Sequence, residues 1–149
     1  MTDHYDLHAS LGYRLTYAAR LAERRFEAAL SPLGLSRTMW CVLLAAGQEG
    51  LSAPSDIAAF IGIDRTATSR ALRALDDAGL VTRAAGTGDR RMTRVALTEA
   101  GQDRLAAASR AAAENATHFT AKLDPADRAA LDTALDRLTA GEAIPVRGL

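Results

Sequence analysis

Cysteine occurs once in the 149 residues, at Cys41, which excludes an internal disulfide and a multi-cysteine zinc site and suits a reducing compartment. Lysine also occurs once, at Lys122; the other seventeen basic residues are arginine, which with the heavy alanine content reads as coding bias. No apolar run approaches the roughly 20 residues of a membrane span. The opening residues, MTDHYDLHAS, have neither the basic start nor the continuous apolar stretch of a secretory signal. A cytoplasmic protein with no membrane partner is expected. His4, His8 and His118 are dispersed with no short metal-ligand spacing, and no Gly-rich phosphate loop follows a strand. No catalytic pair stands out, so the expectation is no enzyme, no metal and no cofactor.

What is present is 48% apolar content in a length that fits one well-filled domain, residues 1–149, with no room for a second independent one and no internal repeat. Punctuation divides the chain. A helical pattern runs from about Leu7 to Leu30, with Leu7, Leu11, Leu15, Ala18, Ala22, Phe26 and Ala29 at helical spacing, and Ser31-Pro32 with Gly34 ends it. Ser36 suits the N-cap of a largely buried second helix, Arg37 to Ala46, and Ser52 that of a short third helix, Pro54 to Ile61. Thr98 suits the cap of a long Ala-rich helix to about Lys122. Asp124-Pro125 opens a last one to about Thr139, with Leu131, Leu135 and Leu138 on one stripe.

The chemistry concentrates between Asp64 and Thr98. Gly62-Ile63-Asp64 is a three-residue link between two helices, with Ile63 turned inward and Asp64 capping the second of them, as in a helix-turn-helix. At about 100° per residue, Ala67, Ala71, Leu72, Ala74, Leu75 and Ala78 fall on one arc of that second helix, with Thr68 inside it. Arg65, Thr66, Ser69, Arg70 and Arg73 fill the other. Guanidinium forks and hydroxyls match base edges and phosphates, so this face suits a DNA major groove. Gly79 stops the helix. Two short strands, Leu80 to Ala85 and Met92 to Leu97, then form a hairpin with Gly-Thr-Gly-Asp-Arg-Arg at its tip, and alternation turns Val95 inward and Arg94 toward water or phosphate.

Net charge is zero, which at first argues against a nucleic-acid partner. The distribution reverses that. Between Ile57 and Leu97 lie seven arginines and four acids, an excess of three, so the remainder of the chain carries minus three. Such a stripe orients one face toward DNA and limits non-specific adhesion elsewhere.

The order helix, helix, short helix, arginine-bearing helix, wing, long helix resembles the MarR family of bacterial transcriptional regulators over nearly the whole chain. The resemblance is carried by IAAFIGIDRTATSRALRALDDAGLV, by GDRR as the family's Asp-x-Arg wing motif, and by VALTEAG, similar to its Leu-Thr-x-x-Gly after the wing. It implies a mainly α fold with a small two-stranded β wing: a winged helix-turn-helix region, 36–97, flanked by dimerisation helices in 1–33 and 98–149. It implies a homodimer acting on a near-palindromic double-stranded DNA operator. Arg91 would enter the minor groove with Asp89 bracing it, Arg90 would sit near phosphates, Arg94 would border the same surface, and Arg65, Thr66, Ser69, Arg70 and Arg73 would face the major groove. A narrow A·T-rich minor groove attracts guanidinium on electrostatic grounds alone.

The resemblance also implies a small aromatic or phenolic effector between the first two helices and the long post-wing helix, for which Tyr13, Arg14, Tyr17 and Trp40 are the candidates. The same aromatics equally suit core or interface packing, and Arg14 a surface charge. The Asp89 and Arg91 pair could also be a solvated turn, and Asp64 reads as a helix cap alone. Relatives that sense oxidants typically do so through a cysteine in the first helix, whereas Cys41 lies among apolar neighbours with no resolving partner, so inert packing is expected of it. The flanking helical faces would bury against a second copy, or against their own domain. The reading is a ligand-responsive repressor; the alternative is a winged-helix protein-interaction or dimerisation module without sequence-specific DNA binding.

Overall fold

The computed structural model describes residues 5–85 and 93–142. Helix α1, Leu11–Leu30, runs into a short 3-10 turn, Ser31–Leu33. The apolar pattern puts its start at Leu7, but two side chains claim the backbone ahead of it. Asp6 accepts from the N–H groups of His8 and Ala9 at 3.0 and 3.1 Å, and Ser10 Oγ accepts from the Tyr13 N–H at 3.3 Å. A turn and then an N-cap therefore stand where the first helical turn was expected.

Helix α2, Arg37–Gly47, is capped by Ser36, which accepts from the Met39 N–H at 3.2 Å. Helix α3, Pro54–Ile61, has the expected bounds but not the expected cap. Its N-cap is Ala53, and Ser52 turns away to the wing. The Ser52 carbonyl accepts from the Val95 N–H at 2.8 Å, and its hydroxyl accepts from Arg94 Nη1 at 3.3 Å. Pro54 has no N–H, so one of the donors a cap would serve is already absent.

Helix α4, Arg65–Asp77, leads through Gly79 into strand β1, Val81–Ala85, which pairs antiparallel with β2, Thr93–Leu97, in the register Val81 with Leu97 and Arg83 with Val95. The expected strand residue Met92 and the wing-tip candidates Asp89, Arg90 and Arg91 lie outside the described residues. Helix α5, Glu99–Thr120, and helix α6, Pro125–Thr139, complete the described chain. The fold is mainly helical with a two-stranded sheet. No single helix among the described residues is long and apolar enough to cross a membrane.

The core sits where α2, α3, α4 and the wing meet: Leu30, Leu35, Val42, Leu43, Ile57, Leu72, Leu75, Val81 and Val95 are buried together, with Phe26 of α1 and Ala108 of α5 closing it from above. Truncating a buried leucine here, such as Leu43 or Leu75, costs about 2–5 kcal/mol. The flanking helices divide. The C-terminal end of α1 and the first half of α5 pack on this core, whereas Leu11 and Leu15 of α1 are exposed and α6 has no buried residue. Leu131, Leu135 and Leu138 remain 40–45% exposed in the single chain.

Candidate nucleic-acid interface

The presenting helix is held at both ends by bonds its own sequence supplies. Gly62 ends α3 at φ 77, a left-handed turn that favours glycine, and the Ile63 N–H donates to the Ala58 carbonyl at 3.2 Å. Asp64 then caps α4, its carboxylate accepting from the Ala67 N–H at 2.7 Å. At the far end Gly79, at φ 70, lets the Leu80 N–H reach the Leu75 carbonyl at 2.9 Å. Thr68 is buried, and its hydroxyl is satisfied within the helix by donating to the Asp64 carbonyl at 2.9 Å. It is therefore a packing residue, as its place on the inner arc predicts.

Arg65, Thr66, Ser69, Arg70 and Arg73 all lie on the exposed face of α4, opposite buried Thr68, Ala71, Leu72 and Leu75. The expected apolar arc is wider than the buried one. Ala74 and Ala78 are exposed, because the core buries α4 only along the narrower Thr68, Ala71, Leu72 and Leu75 line. Arg65 and Ser69 border a cleft of about 340 Å³ between α4, the start of α3 and the wing, across which stand Ser55, Arg83 and Thr93. Arg70 lies on the other flank, beside Ser36 and Thr38 at the start of α2.

Sequence reasoning passed over Arg83 and Ser55. Arg83 was legible: its pairing with buried Val95 sets it on the inner face of the hairpin, so its exposed end turns to the cleft. Arg94 pairs with Ala84 on the opposite face, and its guanidinium is bound to Ser52.

A family model described as MarR family matches residues 33–92. The cleft, the helix-turn-helix and the wing all fall inside or against that span. Over those residues the chain is similar to the MarR family. Among solved structures, a probable transcriptional regulator from Pseudomonas aeruginosa is 27% identical over 89% of this chain and 99% of that one, with a TM-score of 0.78. A transcriptional repressor, CouR, solved on a 23-mer DNA duplex is 29% identical over 89% of this chain and 94% of its own, with a TM-score of 0.77. BpsR from Bordetella bronchiseptica, described in terms of regulation of its DNA binding by 6-hydroxynicotinic acid, shares the fold at 21% identity and a TM-score of 0.81, over 93% of this chain and 99% of that one.

Within this chain the four effector candidates fall into two places. Tyr13 and Tyr17 stack on each other, ring centroids 6.1 Å apart and nearly parallel, on the exposed first half of α1 beside Arg14. Trp40 stands at the junction of α1, α2 and α5, edge-on to Phe26 at 4.9 Å and with Nε1 donating to Ser109 Oγ at 3.4 Å. Phe26 is nine residues along α1 from Tyr17, roughly 14 Å at the helical rise, so one protomer does not gather all four around one small ligand. Cys41 is half-buried; burial pushes its thiol above the ordinary range, and nearby Arg37 offsets part of that.

Proposed function

We propose that this chain is a sequence-specific double-stranded DNA-binding transcriptional regulator of the cytoplasm, a ligand-responsive repressor that works as a homodimer on a near-palindromic operator. The observation that carries the reading is the exposed face of α4. Three arginines and two hydroxyl residues stand together on the exposed face of a helix capped at both ends, and two of them, Arg65 and Ser69, border a cleft whose far wall supplies Arg83. A recognition helix in a major groove needs such donors on a rigid element. The likeness to a repressor solved on duplex DNA supports the same partner. Residues 36–97 act as the reader, with Arg91 in the minor groove, Asp89 bracing it and Arg90 and Arg94 near the backbone.

The flanks, 1–33 and 98–149, supply the dimer. Leu131, Leu135 and Leu138 on α6 and Leu11 and Leu15 on α1 form apolar faces that the single chain leaves in water, and a second copy would cover them. Two readers related by two-fold symmetry require half-sites about one helical turn, roughly 34 Å, apart. An effector releases DNA only by preferring a dimer geometry in which that spacing no longer fits. Selection from random duplex DNA at near-physiological salt tests the reading: enrichment of a near-palindrome with that spacing is expected. A folded dimer that enriches nothing would overturn it in favour of a protein-interaction module.

A further inference from the structure

The wing is attached to the rest of the chain at two heights. At its base the Thr98 N–H donates to the Leu80 carbonyl at 3.1 Å, which joins the start of β1 to the start of α5. Three and four residues back along β2, roughly 10–13 Å of extended strand, Ser52 holds it a second time. The Ser52 carbonyl accepts from the Val95 N–H at 2.8 Å, and its hydroxyl accepts from Arg94 Nη1 at 3.3 Å. We propose that Ser52 and Arg94 form a stay that sets the angle of the wing, so that Arg94, placed beside the DNA backbone, is a positioning residue and not a phosphate contact. The inference deepens the regulator reading above and rests on it.

Three observations carry it. Ser52 is a fixed post: on one side the Leu51 N–H donates to the Ala45 carbonyl of α2 at 3.0 Å, and on the other the Ala53 carbonyl accepts from the Ile57 N–H of α3 at 3.1 Å. A strand tied to Ser52 is therefore tied to the helices that carry α4. The arginines of β1 and β2 also divide between the two faces of the hairpin. Arg83 shares a face with buried Val95 and borders the cleft beside Arg65 and Ser69, whereas Arg94 pairs with Ala84 on the outer face, outside the lining of that cleft. A side chain on that outer face meets the neighbouring segment across the strand, which here is Ser52. Finally, a hydroxyl and not a carboxylate holds the guanidinium: the ion pairs among the described residues are Arg37 with Glu23 and Arg128 with Asp132. A hydrogen bond with one charged partner is stronger than a neutral one, and this one leaves the positive charge of the wing uncancelled.

Leverage gives the stay its consequence. Each strand is five residues long, and an isolated two-stranded ribbon has little stability of its own. Held by the base joint alone, the hairpin would pivot about Thr98. Arg91 is three residues of chain from Arg94, at most about 11 Å, so the stay acts close to the residue that reads the minor groove. Fixing the strand before DNA arrives removes part of the ordering cost of binding.

Ser52→Ala decides between the two roles of Arg94, because it removes the bond and leaves the arginine. The full chain is titrated at several salt concentrations with the operator recovered by selection from random duplex DNA, and exchange of the Val95 amide is followed in the free protein. Ser52→Ala and Arg94→Met are each expected to weaken binding about three- to tenfold per half-site, the net worth of one hydrogen bond to a charged group. The salt slope should stay unchanged, since no phosphate contact is lost. Both variants should speed Val95 exchange several-fold, and the double variant should be no worse than either single one. Ser52→Thr, which keeps the hydroxyl, should restore wild-type values. Arg94 is exposed and Ser52 half-buried, so the urea midpoint is expected to move little. A phosphate contact predicts otherwise: Ser52→Ala would free the guanidinium and bind at least as well as the wild type, and Arg94→Met would lower the magnitude of the salt slope by about one. Either result overturns the stay, as does an additive loss in the double variant or Val95 exchange that neither variant changes. Failure of the regulator reading looks different: a wild-type chain that selects no duplex DNA, while Val95 shows this coupled response, loses the regulator and keeps Ser52 and Arg94 as the fastening of the hairpin.

Discussion

A Cβ on Gly101 would stand 1.9 Å from the carbonyl oxygen of Leu80. That oxygen also accepts from the Thr98 N–H at 3.1 Å. The Thr98 hydroxyl in turn accepts from the Gly101 N–H at 3.0 Å and donates to the Gly79 carbonyl at 2.7 Å. The Leu-Thr-x-x-Gly pattern is thus the joint that clamps the base of the wing to the start of α5. The Cβ is fixed by the backbone that bears it and its partner is a backbone carbonyl, so no rotamer change relieves the overlap. Gly101→Ala should lose about 3 kcal/mol or more of stability, read by urea denaturation at fixed protein concentration; an unchanged midpoint would mean that α5 can slide on the wing.

Asp64 makes the bond that starts the recognition helix, and its carboxylate is the only side-chain acceptor for the Ala67 N–H among the described residues. Asp64→Ala should cost about 1 kcal/mol and lower DNA affinity by fraying the turn that carries Arg65 and Thr66. Asp64→Ser, which keeps a capping oxygen, should recover most of both; failure of that rescue would point to a role beyond capping.

Arg70 and Arg73 are exposed on α4 and, among the described residues, neither is held in an ion pair. Changing either to Ala should weaken operator binding by about 1–3 kcal/mol with relaxed preference at one position of each half-site. Equal loss on every sequence would demote that residue to a phosphate contact. Arg91→Ala at the wing tip should lower the magnitude of the salt slope by about one, and an unchanged slope would remove Arg91 from the interface.

Leu135 stands in the middle of the α6 stripe, 40% exposed with Leu131 and Leu138 to either side. Leu135→Asp should turn a dimer into a monomer in sedimentation and abolish cooperative binding to a two-half-site operator, since a desolvated charge with no partner opposes association. A variant that stays dimeric would place the interface elsewhere.

Cys41 is held as a thiol above its ordinary pKa, first by burial, with Arg37 pulling the other way. Its alkylation in the native protein should therefore reach half its limiting rate at a higher pH than in the urea-unfolded chain. The linkage has a definite sign: the unfolded thiol gives up its proton first, so this group's contribution to stability falls as pH rises past the unfolded value. Coincident profiles would mean that the thiol is not desolvated in the fold.

Much of the fold was legible because its signals are local. The caps at Ser36, Asp64, Thr98 and Asp124 each join a side chain to an N–H three residues on, and the inner arc of α4 follows from helical periodicity alone. The exposed set Arg65, Thr66, Ser69, Arg70 and Arg73 comes from that same periodicity. The start of α1 slipped for a local reason, the turn at Asp6 and the cap at Ser10, but at Ser52 distant chain decided. Ser52 abandons α3 for Arg94 and Val95, forty-two residues away in the first case. Trp40 is fixed by Ser109 and Arg37 by Glu23, at separations of 69 and 14 residues. Neighbours within four residues set a helix and its ends, and the pattern of side chains alone conveys them. Which faces then meet depends on how whole elements dock. Docking therefore buries one end of α1 and leaves the other wet, and leaves α6 without a core of its own.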